Sequence, residues 1–155
     1  TGSRVVNGGN YLNDTLLGNG GYGVEATFHY TQGPPMGSNW TAIVFAWTTG
    51  GMGEVYAWEC VYERETKALS IYRTQGGAWN GLAQTTVTTT VTDGQWHRIR
   101  AFRDGSLIRC TYADETTATG SVDYTAIDAA LNMSGATGLR VYNENTVFRS
   151  FATYQ

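Results

Sequence analysis

The carboxylates Glu54 and Glu59, at the ends of the segment EVYAWE, are the side chains best suited by type to acid–base chemistry. Two carboxyl groups can hydrolyse a glycosidic bond when they face each other across a cleft about 5 to 9.5 Å wide. Residues five positions apart on a regular strand point to opposite faces, unless a bulge intervenes. Nucleophile-elbow, P-loop, dinucleotide-binding and His-x-x-x-His patterns are absent from the sequence. We therefore predict no catalytic residue.

Sugar binding requires other side chains, and the segment QGGAWNGL supplies two of them, Trp79 and Asn80. The flanking glycines predict a loop that exposes the indole, and an exposed indole can stack on the C–H face of a sugar. Planar polar groups would meet the hydroxyls, because an unmatched buried hydroxyl costs about 1–3 kcal/mol. The other residues expected at such a site are Trp40, Glu59, Tyr72, Arg73, Tyr142, Asn143 and Asn145.

These candidates depend on strands that the alternation of apolar and polar residues predicts. Strands are expected at 23–31, 41–48, 54–64, 68–74, 82–92, on both sides of Asp104-Gly105, and at 137–142 and 146–152 across the turn Asn143-Glu144-Asn145. A helical turn is expected at 126–131. Glu59 and Tyr72 should face away from the core, Arg73 follows the core positions, and Trp47 and Trp58 should lie in the core. About nine or ten strands with frequent turns predict an all-β, two-sheet sandwich.

Composition limits the classes of function. With 155 residues, the chain is expected to form one domain, whose core lies within residues 23–154 and whose residues 1–22 are irregular apart from one short edge strand. A net charge of −3 argues against a nucleic-acid partner. No segment is apolar enough to cross a membrane, and the opening Thr1-Gly2-Ser3 is typical of an excised module. Cys60 and Cys110 fit either a disulfide or two buried thiols.

Three longer segments carry a resemblance to a known fold: LSIYR at 69–73, DGQWHRIRAFRDGSLIRCTYADE at 93–115 and TGLRVYNENTVFRSFATY at 137–154. Their order resembles the concanavalin A-like, or laminin-G-like, jelly rolls over residues 23–154. Within that superfamily the chain is most similar to bacterial carbohydrate-binding modules appended to polysaccharide-degrading enzymes, the levan-binding type among them.

The resemblance implies a secreted, non-catalytic module that binds a polysaccharide or its chain end and holds a linked catalytic domain near it. No cofactor for catalysis is expected. A structural Ca²⁺ is common in the superfamily, and Asp14, Glu25, Asp123 and Asp128 are available carboxylates, although they form no compact motif.

Two alternatives remain open. One is a small jelly-roll glycoside hydrolase or polysaccharide lyase. The glycosidases of the superfamily place an Asp between their two acids, where this chain has Tyr56, and only GLRVYNEN at 138–145 resembles the lyases. The other alternative is an adhesion-type laminin-G-like domain.

Overall fold

A computed structural model describes residues 4–17, 21–31, 37–49, 52, 55–88, 94–114, 118–125 and 135–154. For residues 4–17, 55, 118–119 and 143–144 it describes the backbone alone. The strands are β1 (Arg4–Leu17), β2 (Tyr22–Tyr30), β3 (Trp40–Thr49), β4 (Val55–Glu63), β5 (Ala68–Gln75), β6 (Ala78–Thr86), β7 (His97–Asp104), β8 (Leu107–Asp114), β9 (Ala118–Thr125) and β10 (Gly135–Tyr154). These ranges include no helix, and hence none of the length and apolarity needed to cross a membrane.

Two antiparallel sheets form a β-sandwich, which confirms the predicted fold class. Sheet one runs in the order β6-β5-β4-β3 and ends on the first part of β10. Sheet two begins on the second part of β10 and continues as β2-β7-β8-β9. A two-sheet antiparallel sandwich is also the architecture that the resemblance found in the sequence implies.

The last strand differs from the prediction of two strands joined by a turn at Asn143-Glu144-Asn145. β10 is continuous over 20 residues, pairing with β3 through residues 136–142 and with β2 through residues 146–154. On its other side β1 pairs with it from Gly135 to Phe148. Because β1 follows β10 across both sheets, the polar segment stays in a strand and does not form a turn. Residues 4–17 are therefore a strand of 14 residues, where irregular structure with one short edge strand was expected. The predicted helical turn at 126–131 lies outside the described residues.

The turn between β5 and β6 also differs from the prediction. Gln75 pairs with Ala78, so only Gly76 and Gly77 connect the strands. Their φ angles of +59° and +84° fit a tight hairpin turn, which requires left-handed residues at both central positions. The predicted loop at 75–81 is thus a two-residue turn, and Trp79 lies on a strand.

Apolar side chains from both sheets meet in one core. Phe28, Ile43, Tyr62, Ile99 and Tyr112 are fully buried there. Trp58 is also buried in this core, as expected. Each such side chain stabilises the fold by about 1.5–3 kcal/mol through burial of its apolar surface.

A disulfide joins the two sheets through this core. It links Cys60 of β4 to Cys110 of β8, with a Cα–Cα distance of 5.7 Å. That distance lies within the usual range for bridged cysteines. The structure therefore decides for the disulfide over the two thiols.

Candidate functional site

The outer face of sheet one carries a groove that crosses the strands. Its volume is about 510 Å³. Every strand of the sheet contributes to its lining, which consists of Ser38, Trp40, Val61, Glu63, Ala68, Ser70, Tyr72, Trp79, Gln84, Arg140 and Tyr142. The sheet thus gathers four residues predicted for sugar binding, Trp40, Tyr72, Trp79 and Tyr142, from four different strands.

These four aromatic residues contact one another in sequence and form what we call the aromatic row. Trp79 stacks on Tyr72, with ring centroids 4.3 Å apart, and packs at a tilt on Trp40 at 5.1 Å. Trp40 in turn stacks on Tyr142 at 5.6 Å. Trp79 and Tyr142 are 41% and 54% exposed, whereas Trp40 is buried. Trp79 and Tyr142 therefore present ring surface to solvent.

A bulge in β6 places Trp79 on this face. Ile71 pairs with Ala83 but the next residue, Tyr72, pairs with Gly81, so Leu82 is an extra residue in β6. An extra residue reverses the alternation of side chains on one side of the bulge. If β6 continued through Leu82 as a regular strand, Trp79 would point toward the core. The bulge also sets Gly81 beneath Tyr72, where an added Cβ would lie 3.3 Å from Tyr72 Cε1.

A second bulge brings Trp47 to the same face, against the prediction that it lies in the core. Phe45 pairs with Trp58 and Thr48 with Tyr56, which leaves Ala46 and Trp47 opposite a single residue of β4. Ala46 has φ of +67°, a left-handed conformation that is rare for a residue with a Cβ. Trp47 is only partly buried, and the Arg140 guanidinium carbon lies 5.8 Å from its ring centroid.

A buried polar cluster lies beneath the aromatic row. Glu59 is fully buried, and its Oε1 accepts hydrogen bonds from Arg140 Nη1 at 2.6 Å and from Thr74 Oγ1 at 3.0 Å. Oε2 has no well-formed hydrogen bond among the described residues. The Arg140 guanidinium also lies 5.3 Å from the Trp40 ring centroid, a cation–π distance. Glu59 therefore belongs to the site, but the aromatic row covers it.

Burial raises the pKa of the Glu59 carboxyl above its usual value. The charge of Arg140 acts in the opposite direction, as do hydrogen bonds from Thr74, Arg140 and Trp79. Desolvation outweighs these contributions, because a carboxylate removed from water loses solvation that few donors replace.

Two predicted residues, Arg73 and Asn80, are not brought into the groove. Arg73 and Asn80 pair with each other, and Arg73 also pairs with the core residue Trp58, so both lie on the opposite face of the sheet from Trp79. The reason is the strand register: Asn80 follows Trp79 directly and must point the other way. For Asn143 the structure describes the backbone alone, and the neighbouring Asn145 is partly buried on β10.

Sequence reasoning missed Arg140 and Glu63, which both line the groove. A signal existed for each. Arg140 is two residues from Tyr142, and Glu63 is four residues from Glu59, so alternation along each strand puts the members of each pair on the same face. Trp47 had no such signal, because its orientation depends on the bulge at Ala46.

The described carboxylates of this face do not form a hydrolytic pair. Glu59 and Glu63 are four residues apart on β4, which corresponds to about 13 Å along a strand. A glycosidase pair needs about 5 to 9.5 Å. Glu54, the other predicted acid, lies outside the described residues.

The described residues likewise contain no group of three or more potential metal ligands. Glu25 bonds Arg100, and Asp123 forms two hydrogen bonds of 2.7 Å with Arg109. Carboxylates already neutralised by arginine do not fit a calcium site. The side chains of Asp14 and Asp128, the other two candidates, are not described, so calcium binding stays a prediction.

Comparison with known proteins supports the fold. No family model and no curated protein matches the chain. Among solved structures it is similar to the carbohydrate-binding module CBM66 from Bacillus subtilis, with a TM-score of 0.63, 15% identity and coverage of 100% of this chain and 96% of that one. A galectin-like protein of unknown function from Bacillus subtilis gives a TM-score of 0.70 at 13% identity, with coverages of 99% and 89%. Sheep galectin-11 gives 0.61 at 15%, with coverages of 94% and 97%. The fold also occurs in matched enzymes, among them an alginate lyase.

Proposed function

We propose that the protein is a non-catalytic carbohydrate-binding module whose groove on sheet one binds a polysaccharide or its chain end. The aromatic row is the observation that carries the proposal. It presents the rings of Trp79 and Tyr142 to solvent across a groove of about 510 Å³ that also contains Arg140 and Gln84. Ring surface for the C–H face of a sugar and planar donors for its hydroxyls are what recognition of a glycan requires.

A binding role is supported over a hydrolytic one by the arrangement of the acids that the structure describes on this face. Glu59 is fully buried and paired with Arg140, and Glu63 is about 13 Å from it along β4. Binding modules and lectins recur among the similar structures. By this proposal the module is secreted and keeps a linked catalytic domain near its polysaccharide by raising the effective substrate concentration.

Affinity electrophoresis in gels containing single polysaccharides tests the proposal. Levan, inulin, laminarin, galactomannan, alginate and polygalacturonate cover neutral and acidic chains. We expect retardation in at least one gel without release of reducing sugar. Retardation in none of them would contradict the proposal and favour a protein-binding role.

The variant Trp79→Ala assigns the binding to the groove. We expect it to weaken retardation at least tenfold, because it removes the most exposed indole of the row. Phe102→Ala is the matched control, since Phe102 is 36% exposed but lies on sheet two. Equal weakening by both variants would place the binding elsewhere.

A further inference from the structure

The polar cluster beneath the aromatic row limits what the groove can bind. The Glu59 carboxylate is fully buried and accepts hydrogen bonds from Arg140 and Thr74. A sugar hydroxyl could reach it only if the covering rings moved apart. Glu59 is therefore poorly placed to read a ligand, contrary to the expectation from the sequence.

Arg140 is the cationic group that a ligand in the groove would meet. Its side chain is 23% exposed, and its guanidinium lies over the rings of Trp40 and Trp47. The hydrogen bond to Glu59 uses Nη1, one of the guanidinium nitrogens. Its contacts with the two indoles and the hydrogen bond to buried Glu59 fix the orientation of the guanidinium. A fixed orientation lowers the entropy cost of binding two hydroxyl groups of a sugar.

The charges around the groove do not favour an anionic ligand. Glu59 neutralises Arg140 at 2.6 Å. Glu63 also lines the groove, and its Oε2 accepts a hydrogen bond of 2.6 Å from Thr66. Arg140 with Glu59 and Glu63 sums to about one negative charge, so a uronate or sulfate group would gain no net attraction there.

We infer that the groove takes an uncharged glycan, with Arg140 as its polar contact and Glu59 as the positioning residue that holds Arg140 in place. This inference rests on the proposed function and names the ligand class for the same site.

The six polysaccharide gels separate this inference from the proposed function. We expect retardation by one or more of the neutral chains (levan, inulin, laminarin and galactomannan) and none by alginate or polygalacturonate. Retardation by the two acidic chains instead would overturn the inference on ligand class and leave glycan binding intact. Retardation by none would overturn both.

Variants of the ion pair test the positioning role on the neutral polysaccharide that gives the strongest retardation. We expect Glu59→Gln and Arg140→Lys each to weaken binding at least tenfold, because lysine lacks the planar fork and glutamine lacks the charge that orients it. Arg109→Gln is the matched control, since it breaks an arginine–carboxylate pair on sheet two. Unchanged binding by folded Glu59→Gln and Arg140→Lys would overturn the inference.

The pH dependence of binding distinguishes positioning from a general structural effect. Among the described residues, the titratable groups facing Glu59 are Arg140 from β10 and Tyr72, its register partner on β5. Protonation of Glu59 at low pH removes its charge and releases Arg140. Because burial raises the pKa of Glu59, this protonation should occur at a higher pH than for an ordinary Glu. We expect the affinity of the native protein to fall as the pH decreases through that step, and Glu59→Gln to lack it. The same step in Glu59→Gln would contradict the positioning role.

Discussion

At the scale of single residues, the groove separates side chains that present a surface from side chains that support it. Trp79 both presents a surface and supports it. One part of its indole is exposed, while the ring packs on Tyr72 and Trp40 above the buried Glu59. Tyr142 is the most exposed aromatic residue of the row and packs on Trp40 alone among its members. A substitution at Tyr142 should therefore affect binding more selectively than one at Trp79.

This difference gives a prediction for Tyr142→Ala. We expect it to weaken binding of the retarding polysaccharide about fivefold, since one aromatic stacking contact is worth ~1 kcal/mol. The melting temperature should stay nearly constant. Isothermal titration calorimetry and thermal unfolding measure the two quantities.

Tyr154→Ala is the control for that experiment. Tyr154 is 39% exposed, similar in type, and lies on the second part of β10, in sheet two. It should bind like the native protein. A fivefold loss in Tyr154→Ala but not in Tyr142→Ala would move the site to the other sheet.

At the scale of elements, bulges decide which aromatic residues reach the groove. The bulge at Leu82 lets Trp79 face outward, and the bulge at Ala46 does the same for Trp47. The second bulge is tightly packed: a Cβ added at Gly135 would lie 2.6 Å from the carbonyl oxygen of Trp47. Such irregularities often re-aim a side chain next to a functional site.

Deletion of Leu82 tests the role of the first bulge. Without Leu82, Ala83 still pairs with Ile71 and Gly81 with Tyr72, now in a regular β6, so Trp79 should keep its outward facing and we expect retardation by the polysaccharide to be retained. Leu82→Ala keeps the extra residue and should bind normally, although it lowers the free energy of unfolding because Leu82 packs on the core. A folded deletion variant that loses retardation would show that Leu82 is not the extra residue of β6.

At the scale of the whole molecule, the sandwich is held together by its core, by β10 and by the disulfide. β10 belongs to both sheets, and Cys60–Cys110 connects β4 of sheet one with β8 of sheet two. β10 also lines the groove with Arg140 and Tyr142, but the disulfide lies in the core, away from that outer face. Stability and binding should therefore respond to different substitutions.

The double variant Cys60→Ala/Cys110→Ala tests this separation. The bridge spans 50 positions of sequence, and closing a loop of that size corresponds to about 4 kcal/mol in the chain-entropy model. We expect denaturant unfolding to show a loss approaching that value, while polysaccharide retardation at 25 °C stays unchanged. Two titratable thiols in the native protein would contradict the disulfide itself.

Most of the fold could be predicted from the sequence, because alternation of apolar and polar residues reports directly which residues face a core. The strands at 23–31, 41–48 and 68–74 were placed within two residues of those observed. The continuous β10 was missed because Asn143-Glu144-Asn145 has the composition of a turn. Only the long-range partner β1 shows that the segment stays extended.

The sequence by itself determined the all-β class and the four aromatic residues that form the row, since residue type and period are local properties. The tertiary structure alone decided that Trp79 and Trp47 share one face, that Arg73 and Asn80 lie on the opposite one, and that Glu59 is buried against Arg140. The physical reason is that a one-residue bulge reverses the facing of a strand, and the partners of a buried charge come from strands far apart in the chain.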